Sequence, residues 1–214
     1  MKILAIETSS NICGITYRKD GENIYTVESD SKRKHAEILP SYYYEIKNQS
    51  SFELSDLDGI SISIGPGSLT GLRVGLSFAK GLAFSRDLPL IPVPTLMSIA
   101  HVSKQDGTIG VLLHSHGDKV YYQSFQNFDN TIVPKNIVDI YSWKEVSEND
   151  SGELKWVHWG CENFAHEFQN NIKAQPSSTS IAELGEIYFN DWVEKDPKMI
   201  VPDYISPFNF GSPK

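Results

Sequence analysis

Residues 60–84 read ISISIGPGSLTGLRVGLSFAKGLAF. Ile60, Ile62 and Ile64 alternate with serines, which is the period of a strand. Gly65, Pro66 and Gly67 then interrupt the pattern, and a helix follows. A strand, a glycine-rich turn and a helix can together hold an anion, because turn glycines let N–H groups point at a ligand and the helix start is electropositive. The specific phosphate signatures are missing here. GPGSLTGLR has no Lys-Ser/Thr pair after its second glycine, and Thr70 stands where a dinucleotide fingerprint needs its third glycine. The next strand, PLIPVP, offers no acid for a ribose. Gly67, Gly71, Gly75, Ala79 and Ala83 recur every four residues and so share one helix face. A glycine inside a helix costs about 1 kcal/mol against alanine. A close approach by another backbone must offset that loss, from this chain's own core or from a partner. The expectation is a partner helix along the Gly75 face.

Working outward, MKILAIETSS opens as a buried strand over Ile3–Ile6 and turns at TSSN. Strands follow at Ile12–Tyr17 and Ile24–Val27, joined through KDG, so the sheet begins as an antiparallel meander. Leu39, Tyr42, Tyr43 and Ile46 form an apolar helical stripe containing Pro40, which sits in the first turn or kinks the helix. LPLIPVPTLMSIAH reads as a proline-bearing strand at a sheet edge, then a helix from near Thr95. SKQDGT at 103–108 marks a boundary between a lobe at 1–103, carrying the two helices of interest, and a smaller α/β lobe at 104–214. In the second lobe GVLLHS and KVYYQSFQ form a hairpin through HGD, 132–141 is extended and KWVHWG is a strand. Helices are expected at 161–172 and 180–193. The tail VPDYISPFNFGSPK has too many prolines for a helix and is expected to be draped or partly disordered. The order defines one mixed sheet with helices followed by a smaller α/β lobe.

The 214 residues carry a net charge of −8, which disfavours unaided nucleic-acid binding because phosphate contacts need a basic surface. KRK at 32–34 reads as a solvated helix entrance. No apolar run reaches the ~20 residues of a membrane span. The two cysteines, Cys13 and Cys161, are far apart and in no metal spacing, and a reduced cytoplasmic setting fits them.

Few residues look chemical. Glu7, Thr8, Ser9 and Ser10 fall after the first strand, where a nucleotide could be contacted, but TSSN has no glycine to close on a phosphate. His114 and His116, as i and i+2 in a strand, would face one side and could chelate a metal with Asp118; a solvent-facing strand end is the simpler expectation. His158 between Trp156 and Trp159 reads as packing. Ser9, Ser10 and Ser68 lack the glycine-flanked elbow of a nucleophile.

ILAIETSS, KHAEILP and GPGSLTGLRVGLSFAKGLA together closely resemble the TsaB family of bacterial tRNA threonylcarbamoyladenosine biosynthesis proteins, over roughly residues 1–100. Two family features are altered: HSHGDKVYY replaces an Asp-Ala-Arg stretch before Gly-Glu-Val-Tyr, and DYIS replaces a terminal Tyr-Leu-Arg. The resemblance implies an actin-like, Hsp70-like (ribonuclease H-like) α/β fold in two lobes. It implies a non-catalytic subunit that binds and positions the catalytic threonylcarbamoyltransferase subunit, with an accessory ATPase on the pair and tRNA met only through the complex. The related catalytic subunit holds its metal with two histidines four apart, where this chain has His35 and then Leu39, so no metal and no cofactor are expected. The expected partner face comprises His35, Leu39, Tyr42, Tyr43, Ile46, Ser68, Leu69, Gly71, Leu72, Gly75 and Ala79, and without the partner the same face would pair two copies of the chain. A small actin-like kinase or nucleotide hydrolase is the enzymatic alternative, and a metal-dependent hydrolase using His114 and His116 is a third.

Overall fold

The computed structural model describes residues 1–31, 34–129, 131–150, 152–168 and 170–205. Lys32 and Arg33 of the KRK trio and the last nine residues of the tail lie outside the described residues. Strands β1 (Lys2–Glu7), β2 (Ile12–Lys19) and β3 (Glu22–Asp30) form the antiparallel meander, and β4 (Gly59–Gly65) and β5 (Leu90–Pro94) join it in parallel. The sheet order β3-β2-β1-β4-β5 puts the proline-bearing β5 at an edge, as its sequence requires. Asp20 and Gly21 make the β2–β3 turn with positive φ at both residues, the geometry that matches strand twist in a tight hairpin.

Helix α1 (His35–Ser50) lies on β2 and β3, and α2 (Leu69–Arg86) lies beside it on β4. Leu4, Ile6, Ile60 and Ile62 point to this face and are fully buried with Leu39 and Ile46 of α1. Each such side chain contributes roughly 1.5–3 kcal/mol. The serines between the isoleucines are not on a wet face. Ser61 and Ser63 are fully buried under the far layer, where helix α5 (Ser178–Ile187) crosses the sheet. A Cβ on Gly185 of α5 would sit 1.9 Å from the Ser61 hydroxyl, so the small pair sets how closely helix and sheet meet.

Helix α3 (Thr95–Ser103) leads to a second sheet containing β6 (Gly107–His116), β7 (Lys119–Phe128), β8 (Thr131–Pro134), β9 (Asp139–Ser142), β10 (Lys155–Trp159) and β11 (Asn171–Lys173). The hairpin through HGD is present, whereas the stretch at 132–141, expected to be extended, is two short strands interrupted by a bend at 135–136. Helix α4 (Trp143–Glu148) follows β9. Cys161, Phe164, Ala165 and Phe168 have helical spacing, yet the expected helix at 161–172 is only a one-turn 3-10 helix at Ala165–Glu167. Phe168 stacks on Trp156 with centroids 4.3 Å apart, and the Asn171 amide donates to the carbonyls of Ala165 (2.9 Å) and Phe168 (3.0 Å), which ends the turn. The expected helix at 180–193 divides at Tyr188 into α5 and the short α6 (Phe189–Trp192).

Although α5 comes late in the chain, its polar ties run to the first sheet and to α3, where Ser180 donates to the Ser98 carbonyl and Glu183 meets His101. The Glu28 carboxylate of β3 accepts from the Ser178 N–H and from the hydroxyls of Ser177 and Ser178, holding the start of α5. Arg18 of β2 donates to Glu186 at 2.6 Å. Of the tail, residues 201–205 are described, and there the Asp203 N–H donates to the Ile64 carbonyl at 2.7 Å, alongside α2.

Candidate functional site

The β1–β2 turn sits on the N-terminus of α2. The Ser68 N–H donates to the Ser9 carbonyl at 2.6 Å, and the Ser68 hydroxyl caps the Gly71 N–H at 3.2 Å. The glycines make this seating feasible. An added Cβ would lie 2.2 Å from the Ser9 carbonyl oxygen at Gly67, 2.1 Å from the Thr8 carbonyl oxygen at Gly71, and 2.1 Å from the Thr8 hydroxyl at Gly75. Real Cβ atoms do not come so close. The expectation that Gly71 and Gly75 open the helix to a partner is therefore corrected: they open it to this chain's own turn, and Ala79 and Ala83 continue the same buried face. A carbonyl oxygen also stands at the pole of α2 where a phosphate would be held, and an acceptor there repels an anion.

Glu7 is fully buried beneath this turn, with one carboxyl oxygen accepting from both the N–H and the hydroxyl of Ser9. Its other oxygen has no hydrogen-bond partner. Burial pushes the Glu7 carboxyl up from 4.5 to about 7, against the bonds from Ser9, and nearby Glu28 raises it further. Glu7, Thr8 and Ser9 are buried and shape the turn, and Ser10 is half-buried at its tip.

The expected partner-face residues divide by depth. His35 is buried, its ring nitrogens meeting the Ser31 hydroxyl and the Ile12 carbonyl at 3.2 Å. Leu39, Ile46, Gly71, Leu72, Gly75 and Ala79 are buried too, so in the free chain they support the face from beneath and do not form it. Tyr42 and Tyr43 are half-buried; Tyr42 shares a 2.7 Å hydrogen bond with Ser29, and Tyr43 meets Phe78 edge-on. Ser68 caps α2 and Leu69 is half-exposed.

The surface of the helix pair is formed by other residues. Ala36, Pro40 and Tyr44 of α1 and Arg73, Ser77, Gly81 and Phe84 of α2 are exposed, with Phe84 at 84%. A shallow groove runs between the helices, floored by Leu39 and walled by Ala36, Pro40, Val74, Ser77 and Phe78, with Arg73 at its edge. A Cβ on Gly81 would meet nothing within 4 Å. Ser77 and Gly81, four apart, thus form the small-residue face that points outward. The glycine and alanine stripe had hidden it in the sequence, although Phe78 and Phe84 flanking Gly81 were visible.

A larger cleft of about 1170 Å³ separates the two sheets. Ser9, Ser10, Asn11, Ser68 and Thr70 line one wall, and His114, Ser115, His116, Tyr121 and Trp159 the other. Trp159 donates its indole N–H to Asn11 at 3.3 Å, tying the walls together. A register shift falls between His114 and His116 on β6, which breaks the regular alternation that the same-side expectation assumed. His114 meets the Gly117 carbonyl at 3.2 Å, and His116 meets the Ser115 hydroxyl. Among the described residues no three His, Cys, Asp or Glu side chains converge as a metal-binding group. His158 is buried as its tryptophan neighbours suggest, and burial lowers its pKa.

A meander followed by two parallel strands, with helices on both faces and a second sheet across a cleft, is the architecture of the two-lobed actin-like α/β proteins. Residues 26–143 match the family model described as TsaD, tRNA N6-adenosine threonylcarbamoyltransferase. The chain is 33% identical over 138 residues to the tRNA threonylcarbamoyladenosine biosynthesis protein TsaB of Escherichia coli, covering 62% of this chain and 58% of that protein. It is 30% identical over 179 residues to the TsaB of Buchnera aphidicola, covering 80% of each. Among solved structures, YeaZ from Pseudomonas aeruginosa superposes with a TM-score of 0.81 over 95% of this chain and 99% of that one, at 20% identity. The chain belongs to the TsaB family of tRNA threonylcarbamoyladenosine biosynthesis proteins.

Proposed function

We propose that this chain is a non-catalytic subunit in threonylcarbamoyladenosine modification of tRNA, binding and positioning the catalytic threonylcarbamoyltransferase through the outer face of α1 and α2. The observation that carries this is the exposed face itself. Phe84 is 84% exposed on the helix that walls an apolar groove and carries the open Gly81, and an exposed apolar surface is the usual mark of an interaction site. Two copies would pair through this face when the partner is absent, and an accessory ATPase would join the pair. The setting is cytoplasmic, with tRNA reached through the partner; no helix among the described residues is long and apolar enough to cross a membrane.

The test is reconstitution of the modification on unmodified tRNA with threonylcarbamoyl-AMP. The purified chain alone is expected to yield no product, and to raise product at least tenfold when added to the catalytic subunit and accessory ATPase. Product from the chain alone would make it an enzyme. A nucleotide hydrolase remains the second reading because the cleft is large enough for a nucleotide and is lined by Ser9 and Ser10. That reading requires ATP with Mg²⁺ to raise the melting temperature of the isolated chain, whereas the Ser9 carbonyl at the α2 pole supports no shift.

A further inference from the structure

The groove between α1 and α2 is lined by apolar side chains, the small Ser77 and one charged residue, Arg73. In the free chain the Arg73 Nε–H donates to the Tyr204 hydroxyl at 2.9 Å, and its guanidinium lies over the Tyr204 ring at 5.5 Å from the centroid. Tyr204 belongs to the C-terminal strap. Ile200 of that strap is buried in the same core as Leu39, and its Asp203 N–H is bound to the Ile64 carbonyl. Asp203, Tyr204 and Ile205 also line the mouth of the large cleft. One arginine therefore connects the groove to the strap, and the strap to the cleft.

A neutral phenol is a weak partner for a guanidinium, which forms stronger, two-pronged bonds with a carboxylate. We propose that Arg73 is the docking point for a carboxylate of the protein that covers this groove, that Tyr204 keeps its place in the free chain, and that docking releases the strap from the cleft mouth. The occupant is then a protein segment presenting an acid next to an apolar side chain, the acid for Arg73 and the apolar group for the groove floor. An acidic protein with a net charge of −8 would otherwise repel such a segment, so a single arginine beside an uncharged groove also selects its position. The coupling is physical: two sites share one element that has a bound and a released arrangement.

The inference rests on the partner reading above, and its test separates the two. Calorimetric titration of the catalytic subunit is combined with hydrogen exchange at the Asp203 amide. Arg73→Ala and Arg73→Gln are expected to bind at least tenfold more weakly, and Tyr204→Ala at least threefold more tightly. Exchange at Asp203 is expected to quicken at least fivefold in free Tyr204→Ala and in the wild-type complex. Wild-type affinity in both Arg73 variants, weaker binding by Tyr204→Ala, or unchanged exchange at Asp203 in the complex would overturn the inference while leaving the partner reading intact. Absence of binding by the wild-type chain would remove the partner reading, and with it the docking of Arg73.

Discussion

Gly71→Ala is expected to unfold at clearly lower denaturant than the wild type, although alanine is the better helix former. The propensity gain is about 1 kcal/mol. Against it stands a Cβ placed 2.1 Å from the Thr8 carbonyl oxygen, a backbone atom held by the β1–β2 turn. Overpacking of this kind costs roughly 1–3 kcal/mol and occasionally more, so the net change is destabilising. Gly75→Ala carries the same sign for a different reason. Its Cβ meets the Thr8 hydroxyl, also at 2.1 Å, and that hydroxyl is buried without a hydrogen-bond partner. Removing it should relieve the clash. Thr8→Ala is therefore expected to restore most of the stability lost by Gly75→Ala and none of that lost by Gly71→Ala, with a coupling in the first pair of roughly 0.5–3 kcal/mol. Urea denaturation of the single and double variants measures this. Equal behaviour of the two glycine variants toward Thr8→Ala would contradict the packing described here.

The second large effect concerns Glu7 and pH. Its carboxyl ordinarily titrates near 4.5 and in the folded chain at about 7, so the native state binds this proton more tightly than the unfolded state does. The stabilisation is then fully present below 4.5, and it is lost as the pH rises through 7. A rise of that size corresponds to roughly 3 kcal/mol. Glu7→Gln keeps the shape and an acceptor for Ser9 but cannot ionise. Relative to the wild type, it should gain about 3 kcal/mol of stability between pH 4.5 and pH 8. Denaturant titrations across that range read the difference directly; a constant difference would show that Glu7 titrates in the native state as it does in the unfolded chain.

Much of both sheets could be read in the sequence because the signals are local. The KDG turn, the proline-bearing β5 and the HGD hairpin each carry their geometry within a few residues. The glycine stripe shows the opposite case. A repeat every four residues tells which side chains share a face, but what that face meets lies some sixty residues earlier, at Thr8 and Ser9. A still longer separation hid the fate of Ser61 and Ser63, which cannot be told from surface serines until α5 returns to cover them. Helix α4 carries a local signal of its own: Ser142 and Glu145 form a capping box, with the Ser142 hydroxyl accepting from the Glu145 N–H while the Glu145 carboxylate accepts in return. In the candidate site, the two helices were legible from Leu39–Ile46 and Gly67–Ala83, whereas their exposed residues were not. Periodicity located the buried stripe of α2 and gave no weight to Ser77, Gly81 and Phe84 on its back.

Gly81 gives the most direct measurement of the proposed role. It faces open space on an exposed helix, so Gly81→Leu should leave the stability of the chain unchanged or slightly higher. If the catalytic subunit packs against this face, the added side chain holds it away. Calorimetric titration should then show binding weakened about 10- to 100-fold, or roughly 1.4–2.8 kcal/mol. A Gly81→Leu chain that is fully folded and binds the catalytic subunit with wild-type affinity would contradict the account.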